Sequence, residues 1–232
     1  MANTQYNSFW HATAPTFVAA CSEPQGHYDI AIIGAGFTGL GAARKLAKNG
    51  VGVAVLEAQS VGFGASGRNG GHLNNGLAHS FVEACTSFGQ ETAIAMYRAF
   101  DDGIETIERI ADEEKIECNF RRSGKLKLAS KAQHMIKIRK NFGALNDLVD
   151  PDTTLLTRDE LSEEIGSSAF HGAMLQPRSA MMHMGRFATG LAEAASRHGA
   201  SIFEASPVIQ CMPDAKGCRL TTPAGTITAQ KV

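Results

Sequence analysis

The chain has 232 residues, 44% hydrophobic and 19% charged, enough for one large domain or one and a half ordinary ones around a sizeable core. Its 22 Lys and Arg against 23 Asp and Glu leave a net charge of -1, so no overall field draws it to nucleic acid, and no nucleic-acid partner is expected. No segment approaches the roughly 20 apolar residues of a membrane span, and with no Lys or Arg in the first 28 residues and only a short apolar stretch after Pro15, no ordinary signal peptide is expected.

Residues 1–28 read as an arm without regular structure that packs on the body, with order beginning at Asp29. The apolar run Ile30 to Ile33 suits a buried parallel strand. Phe37 to Asn49 places Leu40, Ala43, Leu46 and Ala47 at helical spacing, and Gly50 stands where a helix ends. Val51 to Leu56 is a second strand, which closes a strand, helix, strand crossover. After a glycine-rich stretch, Glu91 to Glu117 predicts a long amphipathic helix. Lys125 to Leu128 alternates with period two, a strand with one wet face, and a basic helix follows from Lys131 to about Val149. Thr157 and Glu160 have capping-box spacing for a short helix through Ile165, and Gly185 to His198 predicts another helix. Strands are expected at Ser201 to Ala205, Pro207 to Met212, Arg219 to Thr222 and from Thr226 to Val232.

The pattern predicts an α/β fold: a Rossmann-like domain at 29–118 and 185–232, with part of a mixed-sheet α+β domain at 119–184. The final β-rich run is expected to break off with an unpaired edge and an exposed apolar face, which implies poor solubility.

Gly34-Ala35-Gly36-Phe37-Thr38-Gly39 lies directly between the first strand and its helix. In that context the first glycine permits a tight turn, the second lets the backbone approach a pyrophosphate, and the third allows close helix and strand packing. Glu57 ends the second strand, where a carboxylate accepts hydrogen bonds from ribose hydroxyls and disfavours a 2'-phosphate. Five residues on, Gly62 to His72 is dense in glycine. It reads as a surface linker or as backbone lying against a flat ring, with Ser66 and Arg68 available to pyrophosphate oxygens.

The stretch from Tyr28 to Gly76, with the run Gly62 to Gly71 (GFGASGRNGG), resembles the N-terminus of the D-amino-acid-oxidase-like FAD oxidoreductases, and within them the gamma-glutamylputrescine oxidases. Ser8 to Ala14 resembles the start of those proteins, and weaker similarity runs through Arg121 to Leu126, Gly172 to Leu175 and Gly199 to Val232. The resemblance implies FAD as cofactor. Gly34, Gly36 and Gly39 would meet the pyrophosphate together with Phe37 and Thr38, Glu57 the ribose, and Ser66 and Arg68 the pyrophosphate side of the loop. Asn69, Gly70, Gly71, His72 and Leu73 would pass near the isoalloxazine, and the backbone of Val208, in the strand Pro207 to Met212, would recognise adenine. It further implies oxidation of a small amine or amino acid by hydride transfer to flavin, with oxygen as electron acceptor. His72 stands where that pattern often has Gln, and its His-Pro pair reads here as His183-Met184. The family also continues beyond the last β-rich run, so the chain is expected to be an N-terminal fragment. Two other readings stand beside this one: a truncated, non-catalytic nucleotide-binding or interaction module, and an NAD-linked dehydrogenase.

No residue is singled out as catalytic. His72 and His183 read first as structurally satisfied histidines. Met181, Met182 and Met184 read as core filler, and Arg121 and Arg122 as solvent-facing. The five cysteines, at 21, 85, 118, 211 and 218, are odd in number and include no C-x-x-C pair. They argue against a disulfide framework or a metal site and for a reducing, cytoplasmic setting, with Cys85, Cys118, Cys211 and Cys218 as small buried hydrophobes.

Overall fold

The computed structural model describes residues 8–20, 23–215 and 217–232. They form two compact units, one comprising residues up to Gly70 with Ala111–Cys118 and His183–Val232, the other Gly71–Ile110 and Asn119–Met182. Cys21 lies outside the described residues.

The first unit begins with α1 (Phe9–Thr13), so the arm is not wholly irregular: Ser8 accepts from the backbone of Trp10 and caps one helical turn. Strand β1 (His27–Ile33) starts two residues before Asp29, and α2 (Phe37–Lys48) follows it, ending at Asn49 with Gly50 at a φ of 79°. Then β2 (Val53–Leu56) completes the crossover.

In the second unit, β3 (His72–Leu73) leads into α3 (Phe81–Phe88) and α4 (Gln90–Glu114), whose last turn belongs to the first unit. Next come β4 (Lys125–Leu128), α5 (Ala132–Leu148), β5 (Thr154–Leu156), β6 (Ala173–Gln176) and β7 (Ala180–Met181). The chain re-enters the first unit with α6 (Met184–Arg197), β8 (Ser201–Phe203), β9 (Gln210–Asp214), β10 (Gly217–Thr222) and β11 (Gly225–Lys231).

The first unit is built on a six-stranded sheet in the order β8-β2-β1-β11-β10-β9. β8, β2, β1 and β11 run parallel, while β11, β10 and β9 form an antiparallel meander. β11 is therefore interior, paired on both sides, with Ile227 and Ala229 buried. The unpaired edge expected at Thr226 to Val232 is absent, because this run satisfies its backbone between two strands formed earlier in the chain. β2 is buried throughout, but β1 is not, since Ile33 remains 54% exposed at its carboxyl end. α2 and α6 pack together, with the Phe37 and Phe187 rings edge-on at 5.6 Å.

The second unit carries a three-stranded antiparallel sheet, β4-β6-β5, and the two-stranded pair β3-β7. The Thr157 and Glu160 capping box forms as the spacing predicts, but it opens only a 3-10 turn, Glu160–Glu163, in place of the expected helix. α3 begins with a second capping box, Ser80 and Glu83, which the sequence reading passed over.

Candidate functional site

Because β1, β2 and β8 are parallel, their carboxyl ends lie at one edge of the sheet, the edge at which open α/β sheets bind ligands. The turn after β1 carries the three glycines, and their surroundings give each a different job. Gly34 has a φ of 102° and nothing within 4 Å of where a Cβ would stand, so it makes the turn and leaves open space. Gly36 meets only Ser66 Oγ, at 3.1 Å. A Cβ on Gly39 would collide with the carbonyl oxygen of Gly34 and crowd Ile32, so this glycine seats the helix on the strand. α2 starts at Gly36 with Phe37 and Thr38 in its first turn, and the Phe37 N–H donates to Ser66 Oγ at 3.0 Å. The N-terminus of the helix, with its partial positive charge, thus opens onto the uncovered glycine backbone.

Glu57 follows β2. Its Oε2 accepts from the Ala35 N–H at 2.8 Å and its Oε1 from the Gln59 N–H at 2.9 Å. The carboxylate is therefore locked onto the glycine turn, and with about four lone-pair sites it retains acceptor capacity for hydroxyl groups. The segment after β8 runs behind it: Glu57 N donates to Phe203 O at 2.9 Å and Ser206 N to Glu57 O at 2.7 Å. Two residues further, Val208 packs on the core beneath β1 and β2. Val208 lies in the extended segment before β9 and not in a strand: Ala205, with a φ of 49°, and Pro207, which has no N–H, precede it, and the first bond to β10 is made by Ile209 N to Thr221 O at 2.9 Å.

The glycine loop is tied to the same edge. Gly62 N donates to Ala35 O at 2.9 Å, and Val61 N donates to Glu204 Oε1 at 2.6 Å. Ala65–Gly67 form a 3-10 turn that presents Ser66 to Phe37. Arg68 is engaged within the loop: its Nε donates to Phe63 O at 2.8 Å and its guanidinium lies 4.4 Å from the centre of the Phe63 ring. The Asn69 amide donates to Ala65 O and Ser66 O. Gly34, Gly36, Phe37, Thr38, Gly39, Glu57, Ser66, Arg68, Asn69, Gly70 and Val208 all belong to the first unit. Gly71, His72 and Leu73 belong to the second, where Gly71 O accepts from Met182 N and β3 pairs with β7. Sequence reasoning missed Glu204, and its only signal was a carboxylate directly after a short strand.

His183 caps α6. Its Nδ1 accepts from Arg186 N at 3.2 Å, which leaves the proton on Nε2 to be donated to Thr13 Oγ1 at 2.9 Å. Burial, followed by the charge of Arg186, lowers its pKa and favours this neutral form. His183 is thus satisfied as the N-cap of α6. Met182 and Met184 are core residues. Of the cysteines read as buried hydrophobes, Cys118 is buried, but Cys211 is exposed, because β9 is an edge strand with one uncovered face.

The second unit buries a polar cluster that no sequence pattern announces. Asp150 is wholly buried, and its Oδ2 accepts from Asn75 Nδ2 at 2.9 Å and Tyr97 Oη at 3.1 Å. Gln176 and Asn75 donate to Tyr97 Oη, and Arg178 Nε stands 3.6 Å from Asp150 Oδ1. Burial and then the Asp150 charge push the Tyr97 phenol far above its ordinary range, so it remains a donor. The same two causes raise the Asp101 carboxyl.

A parallel crossover with an open glycine turn at its switch, and a carboxylate locked onto that turn from the next strand, defines a dinucleotide-binding α/β protein. The family described as FAD dependent oxidoreductase (DAO) matches residues 29–232, and the chain belongs to that family. It is 33% identical over 214 residues to the probable oxidoreductase OrdL of Haemophilus influenzae, covering 89% of this chain and 48% of that protein. It is 31% identical over 202 residues to the gamma-glutamylputrescine oxidoreductase of Escherichia coli, covering 87% and 46%. Among solved structures, glycine oxidase from Geobacillus kaustophilus superposes with a TM-score of 0.76 at 26% identity, over 88% of this chain and 54% of that one. The chain spans about half the length of these relatives. No helix among the described residues is long and apolar enough to cross a membrane.

Proposed function

We propose that this chain binds FAD at the carboxyl edge of the parallel strands and that the protein oxidises an amine or amino acid. The observation that carries the reading is the Glu57 carboxylate fastened to Ala35 N–H beside Gly34, which leaves backbone uncovered. Gly34 and Gly36, with Phe37 and Thr38 at the start of α2, would take the pyrophosphate, while Gly39 packs the helix close behind. Glu57 would accept from ribose hydroxyls, and the backbone near Val208 would meet adenine. Ser66, Arg68 and Asn69 would serve the pyrophosphate side of the loop, with Arg68 turning from Phe63 to do so. Gly70, Gly71, His72 and Leu73 are assigned to the isoalloxazine by resemblance of sequence. Ile33, left half exposed next to Gly34, adds apolar surface.

When bound, FAD supplies hydride acceptance from the carbon bearing the amine. The residues of this chain orient the dinucleotide, and the carboxylate at Glu57 favours a free ribose diol over a 2'-phosphate. Relatives named for gamma-glutamylputrescine and for glycine support a small amine or amino acid as substrate. Oxygen as acceptor, cytoplasmic residence and the absence of a nucleic-acid partner complete the proposal; the last two rest on cysteine usage and charge balance.

The test is direct titration of apoprotein. FAD should bind and remain through gel filtration, giving a yellow protein that releases FAD on denaturation, and Gly36→Val should abolish uptake by filling the space under Ser66. Binding of NADH without FAD would overturn the reading. Anaerobic bleaching of the bound flavin by gamma-glutamylputrescine or glycine, with peroxide formed in air, tests substrate class and acceptor.

A further inference from the structure

One turn of helix grips the glycine loop. Ser8 Oγ donates to Gly67 O, Trp10 Nε1 donates to Asn69 O at 2.7 Å, and His11 Nε2 lies 3.1 Å from Gly62 O. A carbonyl only accepts, so His11 carries its proton on Nε2. Its ring also stacks on Phe63, with centroids 6.2 Å apart and planes 18° from parallel. Two glycines leave room for this contact. A Cβ on Gly67 would strike the His11 ring as well as Gly62 O, and a Cβ on Gly185 of α6 would strike Trp10 O and Ala14 Cβ. The grip is braced from behind by the Thr13 hydrogen bond to His183, by the Trp10 ring packed edge-on to His183 at 4.9 Å, and by Thr189 Oγ1 donating to Pro15 O at 3.0 Å.

We propose that this turn is a latch that sets the shape of the dinucleotide-binding loop, with Ser8, Trp10 and His11 as positioning residues for the cofactor. The inference rests on the FAD reading above. Five of the ten residues from Gly62 to Gly71 are glycine, so the loop has little stiffness of its own and would lose much conformational freedom on binding. The three gripped carbonyls, at Gly62, Gly67 and Asn69, fix the span of the loop at both ends. Ser66 lies between them, and its Oγ is thereby held at the Phe37 N–H, beside Gly36. The latch also turns three carbonyl oxygens toward the arm and satisfies them there, away from an arriving pyrophosphate. Ordering the loop in advance lowers what FAD binding must spend on it.

The test uses the whole chain. Ser8→Ala, Trp10→Phe and His11→Phe combined keep the rings and remove all three donors. This variant should bind FAD at least about tenfold more weakly, with faster FAD release. His11→Gln, which restores an N–H donor, should recover part of the loss when it replaces His11→Phe in the same background. Trp10 is the only tryptophan, so its emission reports on the latch, and FAD titrated into wild-type apoprotein should quench it. Gly185→Ala provides a second route, since it displaces the arm without changing the loop or the three donors, and it should weaken FAD in the same way. If wild type takes up no FAD, the FAD reading itself has failed. If wild type binds FAD and both variants bind it equally well, or lose affinity only in proportion to the fraction unfolded, the latch is refuted.

Discussion

Glu114 closes the last turn of α4 and is nearly buried, with 7% side-chain exposure. It meets Arg44 Nε at 2.7 Å, Arg197 Nη2 at 3.1 Å and His198 Nε2 at 3.0 Å. Arg44 lies on α2, the helix that opens at the glycine turn, so this carboxylate braces the candidate site from behind. Burial alone would raise the carboxyl, but hydrogen bonds and charge from His198 and Arg44 outweigh it and hold Glu114 at about 2, against 4.5. At about 1.4 kcal/mol per pH unit, that gap corresponds to roughly 3 kcal/mol of stability. The folded value lies below the unfolded one, so this stability is fully present above about pH 4.5 and is lost as the pH falls toward 2. Glu114→Gln keeps the shape and removes the charge, leaving Arg44 with Glu113 as its acid partner. At pH 7 it should cost about 2–3 kcal/mol, lowering the melting midpoint by about 5–10 °C in a chain of this size. Urea unfolding of both proteins from pH 7 to pH 3 reads the effect, and the gap between them should shrink by roughly half at the acid end. A gap that stays constant would show that packing, and not the ionised carboxylate, is responsible.

Gly39→Ala should cost more than Gly34→Ala in packing, about 1–3 kcal/mol by thermal melting, because only at Gly39 does the added carbon meet backbone. Gly34→Ala acts through its φ of 102°, so its cost is backbone strain, of order 1 kcal/mol. In the second unit, Asp150→Ala should cost about 2–5 kcal/mol by urea titration, since it leaves the buried Asn75 and Tyr97 donors without their acceptor, while Arg178 keeps Asp101 and Asp152. Tyr97→Phe should cost less, about 1–3 kcal/mol. Among the four described cysteines, Cys211 should react first with a thiol reagent in the folded protein and Cys118 only on unfolding, which peptide mapping after brief labelling checks.

The parallel crossover was legible because each of its signals is local. The apolar runs, the helical spacing of Leu40, Ala43 and Ala47, and the terminating Gly50 all agree with one another. What escaped was whatever the distant chain decides. Thr226 to Val232 reads as a strand on its own residues, but nothing in those residues says that it enters the sheet between β1 and β10. Thr157 and Glu160 make their box, yet a capping box satisfies only the first N–H groups and cannot supply the buried face that would extend a turn into a helix. The arm reads as irregular because five residues of helix carry almost no intrinsic stability; α1 exists through its contacts with the glycine loop and α6.

The glycines of the candidate site show the same limit at finer grain. Spacing identifies Gly34, Gly36 and Gly39 as a set, but a letter cannot tell a glycine that leaves room for a ligand from one that another part of the protein already fills. Gly34 is of the first kind, whereas Gly36, Gly39 and Gly67 meet other parts of the protein, Gly36 the Ser66 hydroxyl and Gly67 both Gly62 O and His11, fifty-six residues earlier. Glycine density therefore overstates how much of the loop is open to a cofactor. The residues that shape it, Ser8, Trp10, His11 and Glu204, lie outside the motif, each recognisable only once the fold has brought its side chain to a loop carbonyl or amide.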